Sequence, residues 1–200
     1  MEVWQTEETD MTTIGILNLQ GDVSEHFEIM RKAVEHTDID VLKVKTSSDV
    51  SKCDGIVISG GESTVIGKLM EKTGIKSAIL DQNIPVMGTC AGMVLLAKKT
   101  DYEQPLLGLI DMEVKRNAFG RQKVSFEDEI EIFGKKFKGV FIRAPYIEKV
   151  GENVDILSKY NEKIIAVKSG KHIATAFHPE LTGDTTIHEY FIKEVLNCAE

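Results

Sequence analysis

The stretch "IPVMGTCAGMVLLAKK", residues 84–99, decides the fold. Its first half is an apolar run of strand character and its second an apolar run of helical character, with a lone cysteine among small residues at the junction. Gly88 and Gly92 frame Cys90 as G-x-C-x-G, the sulfur counterpart of the G-x-S-x-G elbow. In that elbow a sharp strand-to-helix turn needs small neighbours to hold the nucleophile clear of the backbone. A buried cysteine beside a glycine can imitate the pattern, because free cysteine is among the most buried residue types. The stretch therefore predicts a βα unit, and residues elsewhere must say whether the thiol reacts.

Upstream, "TIGILNL" (13–19) reads as a buried strand, and "GDVSEHFEIMRKAVEH" follows with Val23, Phe27, Met30 and Val34 at helical spacing. Asp22 with Glu25 resembles an N-terminal capping box. "IDVLKVK" and "GIVISGG" read as further strands, and a helix over about 63–72 is closed by Gly74 before the strand that carries Cys90. This βαβ alternation predicts a parallel sheet with helices on both faces and ligands bound beyond the carboxyl ends of the strands, where Gly60, Gly61 and Cys90 fall. After about residue 108 come short β-rich segments separated by "FGKK", "YNEK" and "SGK". They predict antiparallel hairpins, either as a second layer or as an extension of the sheet, before a C-terminal helix over about 185–199.

Two hundred residues with 42% hydrophobic and 28% charged content suit one domain. A net charge of -8 with scattered Lys and Arg argues against nucleic acid and anionic lipid as partners. No apolar stretch approaches the roughly 18 residues of a membrane span. The acidic start "MEVWQTEETD" lacks the order of a secretory signal, so a cytoplasmic protein is expected. Three cysteines without C-x-x-C spacing predict neither a disulfide framework nor a zinc site. Cys53 and Cys198 read as loop or packing residues, Cys198 sharing a helical face with Ile187, Phe191 and Val195.

A cysteine nucleophile needs a base, since at an unperturbed pKa of about 8.5 little of it is thiolate at neutral pH. Of five histidines, His26, His36 and His188 read as exposed helical residues and His172 opens a strand. His178 ends the run "IATAF" and precedes Pro179 and Glu180. In extended geometry His178 and Glu180 would project to one side, where the carboxylate orients the imidazole. A surface His-Pro-Glu turn would give the same letters. Acyl chemistry also needs N–H donors for an oxyanion; the elbow offers Ala91, and the flexible "SGGES" turn offers Gly61.

"GTCAGM", "SGGES" and "HPE" together resemble the class I glutamine amidotransferase family. Within it, "LQGDVSEH", "GGEST", "RNAFGRQ" and "FIRAP" look like the glutaminase subunits of pyridoxal 5'-phosphate synthases. The resemblance begins at about Thr13 and implies a flavodoxin-like, three-layer α/β fold with added antiparallel strands. Residues 1–11 become an N-terminal extension and 12–200 a single glutaminase domain. It implies Cys90 as nucleophile, His178 as base and then acid, Glu180 as orienting carboxylate, and Gly61 and Ala91 as oxyanion donors. Gly60, Gly61, Glu62, Arg116, Ile142 and Arg143 would line a site for L-glutamine. No cofactor or metal is implied, and the partner is a separate, barrel-shaped synthase subunit that receives ammonia. Two alternatives share parts of this pattern: the glutaminase subunit of imidazole glycerol phosphate synthase, and a non-catalytic α/β protein whose cysteine senses oxidation.

Overall fold

The computed structural model describes residues 11–116 and 125–199. Its first strands are β1 (Thr13–Leu17), β2 (Asp40–Val44), β3 (Gly55–Ile58) and β4 (Val86–Thr89). The helices between them are α1 (Val23–Ala33), α2 (Ser47–Val50), α3 (Ser63–Lys72) and α4 (Ile75–Gln82). Short helix α5 (Ala91–Leu96) leaves the elbow and runs into β5 (Ala97–Thr100). Strands β6 (Ile110–Lys115), β7 (Ser125–Ile132), β8 (Lys135–Ile142), β9 (Tyr146–Val150), β10 (Asp155–Tyr160), β11 (Lys163–Ser169) and β12 (His172–Thr175) precede the last helix, α6 (Thr186–Ala199).

The main sheet runs β2-β1-β3-β4-β12-β11-β9-β6-β5, with β10 paired to β11. Strands β2 through β12 in that order are parallel, and the pairs β12–β11, β11–β9 and β9–β6 are antiparallel. Both readings of the hairpins hold, because β7 and β8 form a separate two-stranded layer while the others extend the sheet. The interior parallel strands β1, β3, β4 and β12 are buried along nearly their whole length, as strands covered on both faces must be, whereas the edge strand β2 buries only Val44. Right-handed crossovers explain the helix placement: β1 to β2 steps one way across the sheet and β2 to β3 the other, so α1 lies opposite α2, α3 and α4. Helix α6 joins α1 on its side. Phe141, Phe177 and Phe191 are fully buried, each worth about 1.5–3 kcal/mol of transfer free energy.

Several expectations need correction. Asp22 does not cap α1 with its side chain; at ψ 50° its carboxylate turns away, toward His178. His26 and His188 are completely buried, whereas His36 is exposed as expected. Cys198 is exposed, since its turn of α6 runs beyond the sheet that covers Ile187, Phe191 and Val195. Helices α2 and α4 and strands β5 and β9 lie outside the elements that the sequence pattern predicts. The proposed extension over 1–11 lies, except for Met11, outside the described residues, as does "RNAFGRQ" beyond Arg116. Among the described residues no helix is long and apolar enough to cross a membrane.

Candidate active site

Strand order reverses direction between β1 and β3, and a ligand crevice forms beyond the carboxyl ends of strands at such a switch point. Gln20, Gly21 and Asp22 follow β1, Gly60 to Glu62 follow β3, and Cys90 follows β4. All but Gly60 line one cavity of about 390 Å³ together with Ser63, Ala91, Val94, Arg116, Ile142, Arg143, Pro145 and His178. Every expected site residue except Gly60 and Glu180 therefore faces this cavity. Gly60 is buried behind His178, where a Cβ would stand 2.4 Å from the ring's Cε1.

The elbow is strained where the sequence pattern requires it. Cys90 has φ 50° and ψ -103°, a conformation few side chains adopt, and its N–H donates to Thr175 O at 2.8 Å. A Cβ on Gly92 would lie 2.0 Å from Ile58 O, so only glycine lets α5 pack this closely on β3. Cys90 is 9% exposed, and its Sγ lies 3.9 Å from Ile142 O. By contrast, burial together with the charges of Asp54 and Asp49 pushes the Cys53 thiol up to about 12, leaving it a packing residue.

His178 is placed by its N–H, which donates to Val140 O of β8 at 2.8 Å. The chain then enters a 3-10 turn over Pro179–Leu181 instead of staying extended. The turn still brings His178 Nδ1 to 2.7 Å from Glu180 Oε1, with both residues buried. Burial opposes charge on the His178 ring, but Asp22, Cys90 and Glu180 outweigh it and raise its pKa strongly. Burial likewise favours neutral Glu180, yet His26 and His178 hold its carboxyl well below the usual range. The pair thus stabilises an imidazolium beside a carboxylate. Among the described residues, His178 Nε2 is buried with no hydrogen-bond partner, leaving it available to a reacting group.

Glu62 spans the start of α3, accepting from Thr64 N at 3.1 Å and Val65 N at 2.9 Å, while its own N–H donates to Gln20 Oε1 at 2.9 Å. Arg116 Nη1 reaches Gln104 Oε1 at 3.2 Å and Thr64 Oγ1 at 3.4 Å. A carboxylate and a guanidinium on one cavity wall suit the two charged groups of a free amino acid. Gly60 O accepts from Asp22 N at 3.2 Å, which orients the peptide whose N–H belongs to Gly61. Gly21 allows this, since a Cβ there would lie 1.7 Å from Gly60 O. Asp22, His178 and Glu180 bring their ligand atoms within 4.8 Å of one another, but the His178 and Glu180 atoms are already bonded to each other.

Residues 16–197 match the SNO glutamine amidotransferase family. The chain belongs to this family. Pyridoxal 5'-phosphate synthase subunit PdxT of Methanothermobacter thermautotrophicus is 66% identical over 192 residues, covering 95% of this chain and 100% of that one. PdxT of Methanobrevibacter smithii is 59% identical, again over 95% and 100%. A crystal structure described as a glutamine amidotransferase superposes with TM-score 0.84 at 39% identity, covering 91% of this chain and 98% of its own. A glutamine amidotransferase of Thermotoga maritima, 13% identical with TM-score 0.64, shares the fold. Membership in the glutamine amidotransferase family makes the chain an enzyme of amide chemistry.

Gln20, Gly21, Asp22, Ser63, Val94 and Pro145 join the cavity without having been assigned to it from sequence. The first three stand in "LQGD", a motif quoted for the family resemblance but not for the site. His26, Thr89 and His188, behind Glu180, were also missed. Their signal was present: His26 lies three residues after Val23 and four before Met30, on the apolar stripe of α1.

Proposed function

We propose that this chain hydrolyses the side-chain amide of L-glutamine to L-glutamate and ammonia, as the cytoplasmic glutaminase subunit of a pyridoxal 5'-phosphate synthase. The observation that carries this reading is the buried 2.7 Å His178–Glu180 hydrogen bond beside a cysteine on a strained elbow. Cys90 gives its proton to His178 and attacks the amide carbon. The N–H groups of Gly61 and Ala91 stabilise the oxyanion that forms. His178 returns the proton to the leaving ammonia, and water then cleaves the thioester with His178 as base. Glu62 and Arg116 hold the charged end of glutamine, with Ile142 and Arg143 shaping the pocket. Residues 12–200 act as one glutaminase domain, and no cofactor takes part. Identity of 59–66% with PdxT proteins over 95% of the chain supports the choice of synthase.

Ammonia protonates in neutral water, so its acceptor site belongs on a partner: the barrel-shaped synthase subunit. The Gly60–Gly61 peptide is a gate, since turning it withdraws one donor, worth about 10²- to 10³-fold in rate. Glutamate release at saturating glutamine, titrated with synthase, tests this. The isolated chain should be nearly inactive and the complex at least about tenfold faster, a conservative share of that range. A flat rate rejects gating, and activity in Cys90→Ala rejects the nucleophile.

A further inference from the structure

The Glu180 carboxylate is fully buried, and His178 uses only one of its oxygens. Among the described residues Oε2 has no hydrogen bond of good geometry, and His26 Nε2 lies 3.2 Å from it. The same nitrogen lies 2.9 Å from Thr89 Oγ1, on the residue before Cys90. On the far side of the ring, His26 Nδ1 lies 3.1 Å from His188 Nε2. Four elements thus meet behind the site: α1 supplies His26, β4 Thr89, the 3-10 turn Glu180 and α6 His188.

Hydrogen-bond economy places the protons. Among the described residues, His188 Nδ1 is buried with no partner, and a buried N–H lacking an acceptor is rarer and costlier than an unfilled lone pair. The His188 proton therefore sits on Nε2 and is donated to His26 Nδ1. That leaves the His26 proton on Nε2, facing Thr89 and Glu180. Burial, reinforced by His26, pushes His188 down to about 3, which keeps it neutral and suited to this single role.

We propose that His26 is a positioning residue for the glutaminase reaction, its Nε2–H shared between Thr89 Oγ1 and the second oxygen of Glu180 while His188 fixes its tautomer. The inference rests on the reading of Cys90, His178 and Glu180 as the reacting group. A buried carboxylate held on one side only can rotate, and a misplaced orienting group can cost about 10²-fold in rate. The His26 Nε2 contact, 3.2 Å from Oε2, limits that rotation and favours the geometry in which Glu180 stabilises the His178 imidazolium. The titratable groups facing this carboxylate are His26, His178 and His188, with Asp22 and Cys90 acting through His178.

The test compares His26→Leu with His26→Gln, whose amide nitrogen stands near the position of Nε2, both in complex with the synthase. His26→Leu should lower kcat about 10- to 100-fold with KM for glutamine changed less than about twofold. His26→Gln should return kcat to within about threefold of wild type. Without its second donor, Glu180 attracts the His178 proton more strongly, so the acid limb of kcat/KM should move up by about half a pH unit or more in His26→Leu and revert in His26→Gln. The pH profile of Cys90 alkylation by iodoacetamide should shift in the same way without any turnover. Equal losses in both variants with an unmoved profile would reduce His26 to a packing residue. Wild-type kcat in a folded His26→Leu would also overturn the proposal. Should His26→Leu not fold, His188→Phe takes its place, and an unmoved acid limb there counts against the assigned tautomer. A wild-type complex that releases no glutamate defeats the glutaminase reading instead, while the alkylation profile still decides the positioning role.

Discussion

Strands β3, β4 and β12 are buried at every residue, whereas β7 in the hairpin layer buries only Ile130 and Ile132 and exposes most of the rest. In the first region side chains press on both faces, so the strand ends hold still to within the tolerance chemistry demands. In the second, one face meets solvent and the hairpin is held by its ladder and a few apolar contacts. The candidate catalytic groups hang from the first region, with ties to the second through Val140 O, which accepts from the His178 N–H, and Ile142 O, 3.9 Å from Cys90 Sγ.

Substitution should therefore be far costlier in the parallel half. Gly92→Val should produce the largest loss of stability, about 3 kcal/mol or more, because backbone lies where its Cβ must go. Chemical denaturation measures it, and a wild-type midpoint would break the contrast.

A smaller effect belongs to His172 on β12, whose Nδ1 accepts from Val86 N at 3.3 Å. Burial first and Lys171 second lower its pKa to about 4. The unfolded imidazole binds a proton below about pH 6.5, whereas the folded one waits until about pH 4. Its contribution is therefore complete above about 6.5 and is lost on acidification through that window, at up to about 1.4 kcal/mol per pH unit. His178, with a raised pKa, has the opposite sign: its contribution is complete below the unfolded value and lost as pH rises through the folded one. His172→Asn keeps an acceptor near Nδ1 and should flatten the acid slope between pH 6.5 and 4; an unchanged slope would move the proton uptake elsewhere.

The smallest effect is expected in the hairpin layer. Lys138 pairs with Glu127 at 2.7 Å, but both side chains are 57% exposed. Lys138→Ala should change stability by less than about 0.5 kcal/mol, as exposed ion pairs do. A loss comparable to that of Gly92→Val would erase the distinction between the two regions.

The same contrast governed what could be read from sequence. Apolar runs ending in glycine announced β1, β3, β4 and the elbow, because burial on both faces leaves little room for polar letters. Strand β5, "AKKT", carries two exposed lysines and gives no such sign; it exists because β6 pairs with it. Helix α4 was hidden by Gly74, which closes α3 and begins α4 with the same left-handed residue. For the site, the trio and its Gly-rich loop were legible, since strained backbone and His-Pro-Glu leave local marks. The His26–His188 contact joins residues 162 positions apart, and no local pattern encodes a pairing between helices.

The positive φ at Cys90 also constrains the acyl-transfer chemistry proposed for this position. Serine could take over position 90, having no branch at its β-carbon. Threonine, equally able to act as a nucleophile elsewhere, would carry its extra methyl into a φ of 50° that β-branched residues shun. Of the three side chains that nature uses for acyl transfer through oxygen or sulfur, the turn itself vetoes one before any reaction is attempted.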